Sequence, residues 1–165
     1  MAIRAYHFVG STLRDGRPVP PDGVWLEHDG PLVLCQSGLH ASEHPLDALT
    51  YAPGTTLCRV DLDGEIIRDS DKLVARRRQI VARIDATVVL RDFACACARD
   101  VLPLWDAPAI VRQYLETGDE TIRDAARDAA WAAAWTARDA AWVAQRQRVG
   151  VMVDAAFVGV PHVGA

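Results

Sequence analysis

The feature that most constrains the fold of this chain is the uneven distribution of glycine and proline along its sequence. Glycine and proline recur every few positions up to Gly64, whereas neither occurs between Gly118 and Gly150. Short apolar runs between turn residues are typical of a strand-rich domain, and a long uninterrupted run is typical of a helix. We therefore expect an α+β protein with a small, mostly antiparallel β domain over 1–85 and a helical section over 86–165.

The apolar runs of the first part predict its strands. They are Ile3–Val9, Val24–Leu26, Leu32–Cys35, Thr55–Leu62, Glu65–Ile67 and Leu73–Ile84. A hairpin turn is expected at Asp61–Gly64, because Asp-Gly readily supplies the positive φ of a tight turn. One short helix is expected as well, with Ser42 as its cap, Pro45 in its first turn and its end before Pro53.

The second part predicts three helices, at about 86–103, 107–117 and 119–149, followed by a short docked tail. The third helix would have about 30 residues and a length on the order of 45 Å. It is rich in alanine and contains an imperfect repeat of Arg, Asp, Ala and Trp. The expected architecture is thus a β domain followed by helices, of which the last is long and rich in alanine and tryptophan.

Tryptophans form a stripe on this third helix. At 100° per residue, Trp131, Trp135 and Trp142 fall on one side, and Arg127 and Arg138 lie on or beside it. Each indole can bury roughly 150 to 250 Å², so a stripe left in water would be unusual. We expect these five residues to form an interface, either within the chain or between two copies in a homo-oligomer.

Charge and composition exclude several classes of protein. The 18 basic and 22 acidic residues give a net charge of −4 without a basic domain, which disfavours nucleic acid as a partner. The N-terminus lacks the apolar core of a signal peptide, and the apolar runs are too short to span a bilayer. We therefore expect a cytoplasmic protein without a membrane partner, and we expect reduced thiols at its cysteines.

No motif identifies a metal centre. His40 and His44 are four residues apart, but Gly38 and Pro45 predict that they do not share one helix. The chain also lacks a glycine-rich phosphate loop and a nucleophile elbow. We therefore expect no metal and no cofactor that a local motif would specify.

The densest basic cluster is Arg76-Arg77-Arg78. On a strand, Arg76 and Arg78 share one side and Arg77 takes the other. Two interpretations stay open. The run is either a solvated edge strand that its charge protects from pairing, or a binding site for phosphate or a dinucleotide through Arg76 and Arg78.

One string carries a resemblance to a family. It begins with Gly38-Leu39-His40-Ala41 and continues through Pro45-Leu46-Asp47-Ala48, Tyr51, the strand residues 58–62 and 64–67, and Asp71-Lys72. Over residues 3–85 it resembles an uncharacterised domain family common in phages and actinobacteria, whose members often carry repetitive C-terminal extensions. The resemblance implies an accessory protein of a phage or mobile element, and the family has no established activity.

A more distant resemblance implies a chemistry. Tyr6-His7, Leu39 to Ser42, the helix Leu46 to Tyr51 and Arg59 to Gly64 follow the order seen in small ADP-ribosyltransferase-like domains. This resemblance implies a nucleotide-binding cleft with NAD as the candidate cofactor, whether or not transferase activity is retained.

The same resemblance implies roles for residues. His7 would orient the ribose or the nicotinamide amide, and Tyr51 or His40 would stack on the nicotinamide ring. An acid would stabilise the oxocarbenium-like charge as the glycosidic bond breaks. Since the later strands lack a glutamate, Asp69, Asp71 or Asp85 would have to serve, and Asp85 is our candidate. Ser42, Arg76 and Arg78 are the candidate ligand-binding residues.

Two functions therefore compete. A nucleotide-binding cleft predicts that His7, His40 and Tyr51 converge although they are distant in sequence. A non-enzymatic interaction or oligomerisation module predicts that the tryptophan stripe is the functional surface.

Overall fold

The protein is described by a computed structural model that covers residues 2–104, 106–131 and 138–161. Its strands are β1 (Ile3–Val9), β2 (Trp25–Glu27), β3 (Leu39–Ala41), β4 (Thr56–Arg68) and β5 (Leu73–Asp85). Its α-helices are α1 (Pro45–Leu49), α2 (Thr87–Val101), α3 (Ala109–Thr117), α4 (Arg123–Trp131) and α5 (Arg138–Ala156). The predicted α+β class is confirmed, with an antiparallel sheet in the N-terminal half and helices after it.

The dominant feature of the sheet is the long hairpin of β4 and β5, each of 13 residues. The sequence predicted two strands separated by a turn at Asp61–Gly64, and this was wrong. Gly64 takes a φ of 78°, but it does so at an irregularity of the ladder between Asp63 and Ile66. The chain reverses after Arg68, where the Asp69 N–H donates to the Lys72 carbonyl at 2.9 Å.

Two other local predictions were wrong for identifiable reasons. The predicted strand 32–35 is replaced by a turn at 34–36 that an isolated bridge closes, in which the Val33 N–H donates to the Ser37 carbonyl at 2.8 Å. The cap of α1 is His44, whose Nδ1 accepts from the Leu46 N–H at 3.2 Å. Ser42, the predicted cap, instead pairs through its backbone with Tyr6.

This pairing closes the sheet into a ring. β1 pairs with β4, β4 with β5, and β5 with β3, all antiparallel. Beyond β3, the Tyr6 N–H donates to the Ser42 carbonyl at 2.7 Å and the Ser42 N–H donates back at 2.9 Å. β1, β4, β5 and β3 are thus linked in a closed circuit, and β2 extends the sheet on the other half of β5.

One buried apolar cluster draws residues from all four strands of the ring. Its members are Ala5, Val9, Ala41, Cys58, Val60, Leu62, Leu73, Ala75 and Ile80. Side chains alternate between the faces of a strand, and the registers Ala5–Val60–Ile80 and Ile3–Leu62–Arg78 define one common face of β1, β4 and the middle of β5. We call this side the inner face.

The chain divides into two compact units. The first comprises Met1–Val89 and Gly150–Ala165, and the second comprises Leu90–Val149. In the second unit, Ala107, Val111 and Leu115 form a buried cluster. The third predicted helix was expected to end at Gly150, but α5 continues to Ala156.

The end of α5 packs on the sheet within the first unit. Tyr6 Oη donates to Asp154 Oδ1 at 3.1 Å, and Arg59 Nη2 donates to the same oxygen at 2.8 Å. The Arg59 guanidinium also lies 4.3 Å from the centre of the Phe157 ring, and Phe157 is buried. Because Tyr6 and Arg59 are cross-strand partners, this segment clamps β1 to β4.

Among the helices that the structure describes, none combines the length and the apolar character needed to cross a membrane.

Candidate functional site

His7 lies on the inner face of the ring. It stands between Ala5 and Val9 on β1, and its cross-strand partner is Cys58. The imidazole makes no hydrogen bond to any residue that the structure describes. Burial, Arg78 and His40 hold the pKa of His7 well below its usual value, so the ring is neutral at pH 7.

Arg78 shares the inner face with His7. Its cross-strand partner is Leu62, and Ile80 follows it two residues later, both in the inner cluster. The side chain is only 5% exposed. Its Nη1 donates to the His40 carbonyl at 2.5 Å, whereas its buried Nε has no partner. Burial lowers the pKa of Arg78 to about 10, which leaves the guanidinium charged at neutral pH.

No carboxylate pairs with Arg78 among the described residues. Asp15 acts on its charge, but Asp15 is exposed and pairs with Arg17 at 2.7 Å. The two flanking arginines behave differently, since Arg76 pairs with Glu65 and Arg77 with Glu27 and Asp63. We call His7 and Arg78 the enclosed polar pair. His7 is a neutral base, and Arg78 is a cation without an acidic partner among the described residues.

His40 lies on β3, where its cross-strand partner is Val74 of β5. The charge of Arg78 acts on His40, and His40 acts on His7. The His40 Nε2 accepts from the Cys35 N–H at 3.0 Å, and its Nδ1 donates to the Gly38 carbonyl at 3.2 Å. Both ring nitrogens are thus used, and burial lowers the pKa of His40 so that it stays neutral.

Tyr51 is half-exposed and follows α1. Its Oη donates to Asp71 Oδ2 at 2.5 Å and accepts from Lys72 Nζ at 2.9 Å, and Nζ lies 4.9 Å from the ring centre. These hydrogen bonds raise the pKa of Lys72 and lower that of Asp71. Tyr51 is linked through Lys72 to His40, because the charge of Lys72 acts on His40 and His40 acts on His7. The convergence of the three residues in one cleft stays a prediction.

The remaining predicted ligand-binding and catalytic residues have structural partners. Ser42 is buried and closes the ring through its backbone. Arg76 Nη1 donates to the carbonyls of His28 and Gly30, which fastens the loop after β2. Asp85 Oδ1 accepts from the Thr87 N–H at 2.9 Å and from its hydroxyl, so it caps the start of α2.

The arginine run is not an edge strand. β5 is central, with β4 on one side and β2 and β3 on the other. The charges are accommodated by acids and carbonyls around Arg76 and Arg77, and Arg77 also stacks on Trp25 at 4.7 Å. Only Arg78 enters the inner face without an acidic partner among the described residues.

Sequence reasoning missed Cys35 and Lys72. Cys35 has a φ of 64°, the only positive φ outside glycine among the described residues, and its N–H holds His40. Lys72 is the single lysine in a chain that otherwise uses arginine. That solitary use was the available signal, and the Lys72 Nζ lies 2.9 Å from Tyr51 Oη and 3.2 Å from Asp71 Oδ1.

The two described tryptophans of the stripe are open to solvent. Trp131 is 74% exposed and Trp142 is 50% exposed. Arg127 pairs with Asp124 and Asp128 on its own helix. Trp135 and the side chain of Arg138 lie outside the described residues.

Fold and site together define a ring-closed antiparallel β domain that carries a helical extension and buries Arg78 without an acidic partner among the described residues. Residues 3–92 match the family described as a domain of unknown function, DUF7666. The match covers more than half of the chain, and the chain belongs to this family. The prediction of an uncharacterised domain family is confirmed. No curated protein and no solved structure shows a significant match to the chain.

Proposed function

We propose that the first unit binds a small molecule of the nucleotide class on the inner face of its ring. The observation that carries the proposal is the buried Nε of Arg78, which has no hydrogen-bond partner among the described residues and lies near the half-buried His7 ring. Buried polar groups are normally hydrogen-bonded, and each unpaired one costs about 1–3 kcal/mol. A ligand that supplies the missing partners offsets this cost.

The proposal is limited to binding. NAD-dependent transfer of ADP-ribose would need an imidazole and a carboxylate at the bond that breaks. Both nitrogens of His40 are engaged by backbone, and Asp85 caps α2. The resemblance to ADP-ribosyltransferase-like domains therefore supports a nucleotide as the ligand class, with NAD as one candidate. The same hypothesis includes an accessory role for the protein in a phage or mobile element.

Calorimetric titration and thermal shift with NAD, ADP-ribose, AMP and adenosine test the proposal. We expect at least one of them to bind and raise the Tm, and His7→Leu to weaken that binding. The matched control is His28→Leu, because His28 hydrogen-bonds to Ser37 at 2.9 Å in a loop outside the inner face. Wild-type protein that binds none of the four compounds at millimolar concentration would overturn the proposal.

A second candidate function is an interaction module built on the tryptophan stripe. The exposure of Trp131 and Trp142 favours it, since two large aromatic side chains open to water on one chain are typical of an interface. The partner we propose is a second copy of the chain, and the mass of the protein in solution tests it. The two functions are compatible because they use different units.

A further inference from the structure

We propose that Arg78 is the receptor for a terminal oxyanion of the ligand, a phosphate monoester or free phosphate, which enters the ring ahead of the rest of the molecule. This inference rests on the proposed function and narrows it from nucleotides in general to those with a terminal phosphate. It rests on three observations: the burial of Arg78, the identity of its partners, and the neutrality of the groups around it.

The first observation is the cost of the buried charge. An arginine side chain that is 5% exposed has lost nearly all of its hydration. Burial of an ion without a counter-ion costs several kcal/mol even after relaxation, and proteins usually meet this cost with a paired carboxylate. Arg76, Arg77 and Arg83 each have such a partner, whereas Arg78 has one carbonyl.

The second observation is what Arg78 still offers. Its Nη1 donates to the His40 carbonyl, and its buried Nε has no partner. A guanidinium presents its donors in a planar fork that fits two oxygens of a phosphate or carboxylate. The Arg78 Nε–H can therefore donate to an acceptor of a ligand, and a negatively charged acceptor would also be the counter-ion that the guanidinium lacks.

The third observation is that none of the described groups that act on Arg78 supplies a paired negative charge. His7 is neutral and its partner Cys58 is a buried thiol whose pKa is raised to about 11, so neither supplies a negative charge. Asp15 acts on Arg78 from an exposed position and is occupied by Arg17. The neutral His7 ring is free to accept from, or donate to, a phosphate hydroxyl or oxygen.

The enclosure of Arg78 selects the kind of anion. A phosphate at the end of a molecule can reach a nearly buried guanidinium while the remainder stays outside. The diphosphate of NAD or ADP-ribose is flanked by a ribose on both sides, so it would have to carry both riboses into the ring. We therefore expect phosphate and AMP to engage Arg78, and NAD and ADP-ribose to bind more weakly or not at all.

The test compares Arg78→Met with Arg77→Met in the full-length protein. The two arginines are adjacent on β5, but Arg77 is paired with acids and part-exposed. Inorganic phosphate, AMP, adenosine and NAD are titrated at constant ionic strength, with sodium chloride as the ionic control. We expect phosphate and AMP to raise the Tm of wild type and Arg77→Met, and Arg78→Met to lower the AMP affinity at least tenfold.

Stability without ligand gives a second readout. Replacement of an unpaired buried cation by an apolar side chain of similar length should leave the Tm unchanged or raise it, whereas Arg77→Met removes two ion pairs and should lower it. If Arg78→Met fails to fold, Arg78→Lys keeps the charge without the planar fork and should bind AMP more weakly than wild type. The NMR signal of the Arg78 Nε–H should also shift on addition of phosphate to unmodified protein.

The outcomes separate the two proposals. Equal binding of adenosine and AMP would overturn the oxyanion site and keep the nucleotide proposal. AMP binding that Arg78→Met and Arg78→Lys both leave unchanged would do the same. A wild-type protein that responds to none of the compounds would overturn both.

Discussion

Arg59 on β4 and Asp154 near the end of α5 form an ion pair at 2.8 Å across a sequence separation of 95 residues. Because Tyr6 donates to the same carboxylate oxygen, Asp154 joins the first strand, the fourth strand and the last helix at one point. The cross-strand pair next to Tyr6 and Arg59 is His7 and Cys58 on the inner face. The docked segment thus supports the two strands directly behind the candidate site.

Phe157→Ala should lower the free energy of unfolding of the first unit by about 3–5 kcal/mol, because it removes a buried ring that packs under Arg59. Val158→Ala is the matched control, since Val158 is 81% exposed and its loss should change stability by less than about 0.5 kcal/mol. Urea denaturation followed by circular dichroism measures both. Equal midpoints for the two variants would contradict the docking of this segment.

Gly38→Ala should destabilise the protein by about 2–5 kcal/mol. Gly38 has a φ of 115°, and a Cβ there would lie 2.3 Å from Val74 Cγ2 and 2.8 Å from Leu32 Cδ2. Gly16→Ala is the control, because Gly16 also has a positive φ of 82° but nothing within 4 Å of a Cβ, so only the backbone cost of about 1–2 kcal/mol applies. Thermal melts should rank wild type above Gly16→Ala and Gly16→Ala above Gly38→Ala.

Stability should fall as the pH falls below about 6.5. His7 and His40 have lowered pKa values in the folded protein, so the unfolded chain binds more protons once the pH drops below the ordinary histidine value of 6.5. The groups that act on His7 are Arg78, which is a cation, and His40, which is neutral, and its cross-strand partner Cys58 is a neutral thiol. None of these described groups is an acid that would favour the imidazolium. The contribution is fully present above pH 6.5, and each histidine removes at most about 1.4 kcal/mol per pH unit.

Urea midpoints at pH 7.5, 6.5 and 5.5 measure this slope. The carboxylates with lowered pKa values, Asp15, Asp71, Asp85 and Asp119, lose their contribution only as the pH falls below about 3.8, which is outside this range. His7→Leu should flatten the dependence, and an unchanged slope in that variant would show that the His7 ring is not buried as a neutral base.

The four cysteines should react with a thiol reagent at very different rates. Cys35 is exposed, whereas Cys58 is buried among the inner cluster with a pKa raised to about 11. Only thiolates react, so Cys35 should be labelled first and Cys58 only on unfolding. Peptide mapping after brief exposure to iodoacetamide at pH 8 identifies the order, and early labelling of Cys58 would contradict the burial and the raised pKa of this thiol.

Trp131→Ala should leave the Tm of the protein within about a degree, because the exposed indole contributes little to the fold of one chain. If the stripe joins two copies, as proposed, the mass measured by light scattering should fall in this variant. Trp25→Ala is the counterpart: Trp25 packs under Arg77 at 4.7 Å, so its loss should lower the Tm and leave the mass unchanged. An unchanged mass in Trp131→Ala would remove the second copy as the partner of Trp131.

The sequence predicted the bounds of a strand well where apolar and polar residues alternated along its whole length. Ile3–Val9 was predicted with its observed bounds, and Leu73–Ile84 differs from β5 by one residue. It misled at Asp63-Gly64, because a positive φ serves a ladder irregularity as readily as a turn. It misled at Gly150 as well, because this glycine continues the helix instead of ending it. A Cβ at residue 150 would lie 3.3 Å from His44 Nε2.

The candidate site was predicted in part for a similar reason. His7 and Arg78 were named from resemblance and charge, but their shared face depends on the pairing of β1, β4 and β5 and on the irregularities in that ladder. Nor could local patterns show that Arg76 and Arg77 have acidic partners while Arg78 has none. Those partners come from strands and loops up to about 50 residues away, and only tertiary structure brings them together.

The first unit is assembled from two separated pieces of the chain, which affects the order of events during synthesis. Domains generally fold from the N-terminus as they leave the ribosome. Here the sheet emerges first, but Val153, Asp154 and Phe157 follow only after the whole helical region has been translated. The outer side of β1 and β4 therefore stays uncovered for the time needed to make about 60 residues, several seconds at the rate of about 5–20 residues per second. A nascent chain of this protein is a natural client for chaperones that shield apolar strands, and a stop codon in the alanine repeat would leave that side permanently exposed.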